Sequence, residues 1–146
     1  MKSRRITFSI LFAGLLLAVL LAGCGKQTGE YQFTENGDKG DMVLYVFWGD
    51  GCSHCEEARP MLGRLDAEYR DLNIRSFEVW YSPANQALFE KMGEKFGITS
   101  GLGTPTFFLG DTYWVGYSET IDESISATVK ELSSTSVVDA GSGIMP

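Results

Sequence analysis

A run of apolar residues followed by two closely spaced cysteines constrains this chain more than any other feature. The run Met42–Trp48 is continuous and rich in Val, Tyr, Phe and Trp, which is the composition of a strand covered on both faces. Cys52 and Cys55 come directly after it and open a segment with helical spacing. The sequence therefore predicts a dithiol at the junction between a central strand and a helix.

That location suits the chemistry of thiol–disulfide exchange. The unpaired N–H groups and the macrodipole at a helix N-terminus stabilise a thiolate, which is the species that attacks disulfides. We therefore expect Cys52 to be the nucleophile and Cys55, one helical turn on, to resolve the mixed disulfide. We expect His54 to set the reduction potential, because an imidazole donates a hydrogen bond or, when protonated, contributes a charge to the thiolate.

Three other interpretations of the cysteine pair stay open at this point. The pair could be an inert structural disulfide, although the spacing at a helix start exposes the sulfurs. Cys52, His54 and Cys55 could instead bind a soft ion such as Cu(I), as a metallochaperone does. The third interpretation is a protein-binding module without catalysis. We expect no cofactor and no resident metal, because the chain has one His and no further free Cys for a closed zinc site.

The rest of the chain alternates between strand and helix patterns. Ser82 followed by Pro83 predicts a helix start, Gly97 a left-handed helix end, and Thr120 with Glu123 a capping box. The predicted elements are a strand over 42–48, a helix over 52–70 containing Pro60, a strand over 74–81 with Phe77, Val79 and Tyr81 on one face, a helix from 83 to Gly97, a hairpin of strands over 106–109 and 112–117, and a last helix ending near 132.

Four sequence marks in this order resemble the thioredoxin-like family in its small, glutaredoxin-like form. They are Phe47-Trp48, Cys52-Ser53-His54-Cys55, Pro60, and Gly103-Thr104-Pro105-Thr106. The resemblance implies an α/β fold of the order βαβαββα, with a mixed four-stranded sheet flanked by helices. It also implies a cis Pro105 beside the dithiol, with the Thr104 backbone free to pair with an extended substrate.

Two positions depart from the family pattern. Val46 stands where thioredoxins carry a buried acidic residue, and Gly51 stands where a Trp often precedes the first cysteine. Glu56 or Glu57 could replace the missing proton acceptor, although both suit a solvated helix face better. Among the aromatic side chains, we expect only Trp48, beside the dithiol, to form part of a substrate surface.

The N-terminus has the order of an export signal, with a basic start, an apolar stretch over 6–21 and small residues. Leu21-Ala22-Gly23-Cys24 resembles the lipobox of bacterial lipoproteins, which implies lipidation of Cys24 after cleavage. We therefore expect a signal peptide over 1–23, a lipidated Cys24 with a flexible tether over 24–40, a catalytic domain over 41–133, and a disordered tail over 134–146.

Length and charge limit the range of functions. The 146 residues fit one small domain, and a formal charge of −7 argues against nucleic-acid binding. The sequence thus predicts a thiol–disulfide oxidoreductase, lipid-anchored on the extracytoplasmic face of a bacterial membrane, that exchanges disulfides with exported protein thiols. We also expect a membrane redox partner.

Overall fold

The structure is a computed structural model that describes residues 31–37 and 39–146 of the chain. The predicted signal peptide and Cys24 lie outside the described residues. The elements in chain order are β1 (Met42–Trp48), α1 (Ser53–Glu68), β2 (Leu72–Glu78), α2 (Pro83–Lys95), β3 (Thr106–Leu109), β4 (Thr112–Val115) and α3 (Glu119–Leu132). This order confirms the predicted sequence of strands and helices.

The four strands form one mixed sheet in the order β2-β1-β3-β4. β1 pairs in parallel with β2, because α1 carries the chain back across the sheet between them. β3 pairs antiparallel with both β1 and β4, and a tight turn joins β3 to β4. The α/β class and the mixed four-stranded sheet are thus as predicted, with β1 as an inner strand.

Alternate side chains of β1 enter two different cores. Leu44 and Val46 are fully buried on the face covered by α1 and α3, where Leu62 and Ile125 meet them. Tyr45 and Phe47 point to the opposite face and join an aromatic cluster. The other members of that cluster include Phe77, Phe89, Met92 and Phe108. Burial on both faces explains why the sequence of β1 is an unbroken apolar run.

The predicted ends of α2 are confirmed. The Ser82 hydroxyl accepts the N–H of Asn85, and Pro83 is the first helical residue. At the other end Gly97 has a φ of 70°, its N–H bonds to Glu94 O, and the next N–H bonds to Gly93 O. These two bonds satisfy carbonyl groups that the helix end would otherwise leave unpaired.

Two predicted boundaries were wrong. α3 begins after Ser118, whose hydroxyl accepts the Ile121 N–H, so the pattern of Thr120 and Glu123 is not the helix cap. Ser118 fits the cap because it follows the turn at Gly116, outside the apolar period of the helix. β2 ends at Glu78 rather than at Tyr81, and Tyr81 is 75% exposed. The alternation of apolar residues continued beyond the last strand residue and predicted too long a strand.

The domain begins earlier than the predicted boundary at residue 41. Tyr31 is buried in the core, and the Thr34 carbonyl accepts the Ser76 N–H at 2.7 Å on the outer edge of β2. The Asn85 amide donates to Glu35 Oε1 at 2.7 Å. Residues 31–36 therefore pack onto the sheet edge and α2 instead of forming part of a free tether.

The C-terminal segment also packs on the domain, in place of the predicted disordered tail. Ala140 is 2% exposed, and the Lys95 ammonium donates to Ala140 O at 2.8 Å and to Ser142 O at 3.0 Å. Burial raises the pKa of Tyr45 to about 12, and the hydrogen bond and negative charge of Asp139, in this segment, act in the same direction. This segment is rich in Ser and Gly and has no apolar period, so the packing of Ala140, Ile144 and Met145 could not be predicted from the sequence.

None of the helices within 31–37 and 39–146 is sufficiently long and apolar to cross a membrane.

We predict that removing residues 137–146 lowers the free energy of unfolding by about 2 kcal/mol, because a buried contact and the two Lys95 bonds are lost. Urea denaturation followed by fluorescence measures the change. Val138 is 78% exposed, so Val138→Ala should change stability by less than about 0.5 kcal/mol. An unchanged midpoint for the shortened chain would contradict the packing of this segment.

Candidate active site

The candidate active site lies where the C-terminal end of β1 meets the start of α1. Cys52 and Cys55 form a disulfide with their Cα atoms 5.2 Å apart. Cys52 is the N-cap of α1, and its Sγ accepts the Cys55 N–H at 3.2 Å. The relative exposure is 6% for Cys52 and 0% for Cys55. Cys52 is therefore the sulfur that an incoming thiol reaches first.

Gly51 permits the tight entry into α1. Its φ of 83° lies in the left-handed region, which side chains other than that of Gly rarely adopt. The turn it makes is closed by a hydrogen bond from the Cys52 N–H to Gly49 O at 3.1 Å. A glycine thus occupies the position where the family often has Trp.

The Thr104–Pro105 loop faces the disulfide. The peptide bond between these residues is cis, as the family resemblance implied. The Thr104 Oγ1 lies 3.5 Å from Cys52 Sγ, and the Thr104 carbonyl oxygen lies 3.6 Å from the same sulfur. The loop is closed by the Thr106 hydroxyl, which donates to Gly103 O at 2.6 Å. In the reduced state the Thr104 hydroxyl is therefore placed to donate to a thiolate at Cys52.

Ionisable side chains near the start of α1 pair with one another. His54 Nδ1 lies 3.0 Å from Glu57 Oε2, and both side chains are more than half exposed. Glu56 forms an ion pair with Arg59 at 2.6 Å. The positive charge of a protonated His54 is therefore partly offset by its own neighbour. Both carboxylates that could have served as proton acceptors are thus in contact with these side-chain partners.

Trp48 lies beside the dithiol but is not a fully open surface. Its indole stacks on the ring of Phe33, with centroids 4.2 Å apart and planes at 15°. The Arg59 guanidinium lies 4.4 Å from the Phe33 centroid and donates to Tyr31 O at 2.7 Å. One face of Trp48 is thus covered by the N-terminal segment, which sequence analysis assigned to the tether.

Glu78 is a site residue that sequence analysis missed. Its Oε1 accepts the Trp80 N–H at 2.8 Å and the Asp50 N–H at 3.4 Å, and its Oε2 accepts the Tyr81 N–H at 2.9 Å. Burial tends to raise the pKa of Glu78, but these backbone donors outweigh it and hold the pKa below its ordinary value. In the sequence, the only signal for Glu78 was that a charged residue stands between the apolar residues Phe77 and Val79 in a predicted strand.

The structure does not favour a metal site at the dithiol. Within the described part of the chain, no three His, Cys, Asp or Glu side chains are grouped to hold a metal ion. His54 is on the exposed face of α1 with Glu57, whereas Cys55 is fully buried. Val46, at the position of the family's buried acid, is also fully buried and belongs to an apolar cluster.

No family model and no curated protein matches this chain. Several solved structures do. A Chlorobium tepidum protein described as the thiol:disulfide interchange protein DsbE is 15% identical, with a TM-score of 0.50, and the match covers 71% of this chain and 94% of that chain. Mitochondrial thioredoxin 3 from Saccharomyces cerevisiae is 21% identical, with a TM-score of 0.47 and coverages of 64% and 80%.

A mutant thioredoxin from Halobacterium salinarum is 27% identical, with a TM-score of 0.46 and coverages of 68% and 80%. Identities this low establish a shared fold and nothing further. The sheet order β2-β1-β3-β4, the helices that flank it and the likeness to the Chlorobium structure together define a thioredoxin-like fold. The fold expected from the four sequence marks is confirmed.

We predict that Thr104→Val lowers the reduction potential of the Cys52–Cys55 pair by about 20 mV, because the reduced form loses a hydrogen bond worth about 1 kcal/mol. Equilibration with glutathione buffers measures the potential. Thr104→Ser keeps the hydroxyl and should keep the potential. Equal potentials in the Val and Ser variants would show that the hydroxyl does not act on the sulfur.

Proposed function

We propose that this protein is a thiol–disulfide oxidoreductase that exchanges disulfides with exported protein thiols on the extracytoplasmic side of a bacterial membrane. One observation carries the proposal: the Cys52–Cys55 disulfide lies at the N-terminus of a helix, and Thr104 of the Thr104–Pro105 loop contacts the Cys52 sulfur. A helix N-terminus stabilises the thiolate left at Cys52 after reduction. The Chlorobium neighbour, described as a thiol:disulfide interchange protein, is consistent with that chemistry.

The exchange proceeds in two balanced steps. A substrate thiolate attacks Cys52 Sγ, which forms a mixed disulfide and releases the sulfur of Cys55 as a thiolate. A second substrate thiolate then attacks the substrate sulfur of the mixed disulfide. This step forms the substrate disulfide and leaves Cys52 as a thiolate, so two electrons pass from substrate to protein. In the reverse direction, Cys52 attacks a substrate disulfide and Cys55 resolves the mixed disulfide.

The burial of the two sulfurs supports these roles. Cys55 is fully enclosed, and its neighbour Ala58 is fully enclosed as well, so an external thiol has no direct path to it. Cys52 touches the Thr104–Pro105 loop, where an extended substrate backbone would pair next to the sulfur. A membrane redox partner would return the dithiol to its starting state after each cycle. Nothing in the described residues favours a metallochaperone or a non-catalytic module over this chemistry.

Lipid anchoring through Cys24 is part of the proposal, and the packing of the N-terminal segment adds a geometric consequence. Seven residue steps separate Cys24 from Tyr31, which is already packed in the core. A chain of that length spans at most about 25 Å. The proposed anchor would therefore hold the domain close to the bilayer surface, within reach of a membrane-embedded partner.

We predict that Cys52→Ser removes thiol–disulfide exchange with reduced or oxidised insulin, because no sulfur remains at the accessible position. Cys55→Ser should instead accumulate a mixed disulfide between Cys52 and substrate, visible as a shifted band on a non-reducing gel. Ser53→Ala, which keeps both sulfurs, is the matched control. Exchange by Cys52→Ser at the rate of the unchanged protein would refute the catalytic assignment.

We predict that Cys24→Ala yields a protein of unprocessed size that carries no lipid, whereas the unchanged chain is processed and labelled by a fatty-acid analogue. Metabolic labelling and electrophoresis of the membrane fraction measure both properties. Ala22→Ser is a mild control within the same segment. A normally sized, labelled product from Cys24→Ala would overturn the proposed anchor.

A further inference from the structure

Two consecutive aromatic side chains are exposed at the end of β2. Trp80 is 51% exposed and Tyr81 is 75% exposed, whereas most large apolar side chains of the described domain are buried or half-buried. Side chains of this size keep a hydrophobic surface in water at a cost in free energy. Such a pair in a defined turn is typical of a contact surface for another molecule.

The aromatic turn lies against the loop that leads into the dithiol. The Trp80 ring covers Gly49 so closely that a Cβ on Gly49 would collide with the indole. The Val79 N–H donates to Trp48 O at 2.9 Å, and the Gly49 carbonyl in turn accepts the Cys52 N–H at 3.1 Å. The surface formed by Trp80 and Tyr81 is therefore continuous with the loop that presents Cys52.

Glu78 holds this turn in place. Its carboxylate accepts the backbone N–H groups of both Trp80 and Tyr81, and it also accepts that of Asp50 in the dithiol loop. One side chain thus ties the aromatic turn and the dithiol loop together. The aromatic side chains are exposed on a backbone that is fixed in advance, which reduces the entropy lost when a ligand binds.

The charges around the turn are mainly negative. Asp50 is exposed, and the backbone N–H groups that Glu78 accepts lower the pKa of its carboxyl group and so favour its charged form. On α1, Glu57 contacts His54, and the guanidinium of Arg59 is already paired with Glu56. A cation over an aromatic face is attracted by the ring quadrupole, and neighbouring carboxylates add to that attraction.

We propose that the surface formed by Trp80 and Tyr81 binds an Arg or Lys side chain of the substrate polypeptide, close in sequence to the cysteine that reacts with Cys52. The inference rests on the proposed function and specifies its substrate class, which is a protein thiol in a basic segment. Glu78 is a positioning residue in this arrangement. It holds the aromatic turn beside the dithiol loop and contributes negative charge.

Matched peptides test this inference with the oxidised full-length chain in detergent. Each peptide carries one cysteine, and a flanking position holds Arg, Gln or Glu. We expect the Arg peptide to react about threefold to fivefold faster than the Gln peptide, from an exposed cation–π contact, and the Glu peptide to react more slowly than both. The advantage of Arg should decline as salt screens the carboxylates.

Five variants separate the surface from the fold. Tyr81→Ala removes the more exposed ring and should reduce the Arg advantage, and Trp80→Ala should reduce it further. Tyr113→Ala removes an aromatic side chain that is 42% exposed on β4, outside the turn, and should leave the advantage unchanged. Glu78→Gln keeps an oxygen acceptor but removes the charge, so it should retain more of the advantage than Glu78→Ala.

Dithiothreitol, a small neutral thiol, distinguishes failure of this inference from failure of the proposed function. Tyr113→Ala should be reduced by dithiothreitol at the rate of the unchanged protein. Each other variant is compared by the ratio of its Arg-peptide rate to its Gln-peptide rate, so that a general change in reactivity cancels. Equal rates for the Arg, Gln and Glu peptides would overturn the basic-segment inference while exchange itself stands. A fourth peptide with Phe at the flanking position would overturn it likewise if it reacted faster than the Arg peptide. Failure of the unchanged protein to exchange with any peptide thiol would overturn the proposed function instead.

Discussion

The pairing of β1 with a strand on each side determines where every part of the candidate site lies. β1 runs parallel to β2 and antiparallel to β3, so its C-terminal end meets the end of β2 and the beginning of β3. In register, Trp48 stands opposite Glu78, and Phe47 stands opposite Thr106. The dithiol loop, the carboxylate of Glu78 and the cis-proline loop therefore converge at one edge of the sheet. Burial of β1 on both faces fixes that register, because a slip of one residue would exchange its two cores.

Much of this arrangement could be predicted from the sequence, because its causes are local. An unbroken apolar run indicated an inner strand, and a Ser-Pro pair and a glycine marked the two ends of α2. The Cys-x-x-Cys spacing predicted a helix start, and the structure places Cys52 at the N-cap. The cis bond before Pro105 came from the family resemblance, since no local pattern distinguishes it from a trans bond.

The features that sequence analysis missed depend on contacts between distant segments. Residues 31–36 lie in a polar, glycine-rich stretch with only two aromatic residues, but the Thr34 carbonyl accepts the backbone N–H of Ser76, 42 positions away. Lys95 holds the C-terminal segment through carbonyl groups, which every residue type supplies. Glu78 acts through three backbone N–H groups from two loops. Backbone partners leave no trace in side-chain periodicity, so such contacts need the fold before they can be found.

The electrostatics of the site reflect opposing effects on the Cys52 thiolate. The helix N-terminus and the Thr104 hydroxyl favour the thiolate, and so does His54 when it is protonated. Glu57 lies 3.0 Å from His54 and offsets its charge, although Arg59 similarly offsets Glu56. Val46 is fully buried in an apolar cluster and adds no charge of its own. The helix end and Thr104 contact the Cys52 sulfur directly, and that sulfur is almost completely buried. The electrostatic effect of the exposed side-chain pairs on the thiolate is weaker, because water screens it. The backbone and the Thr104–Pro105 loop therefore influence the Cys52 sulfur more strongly than the charged side chains around it.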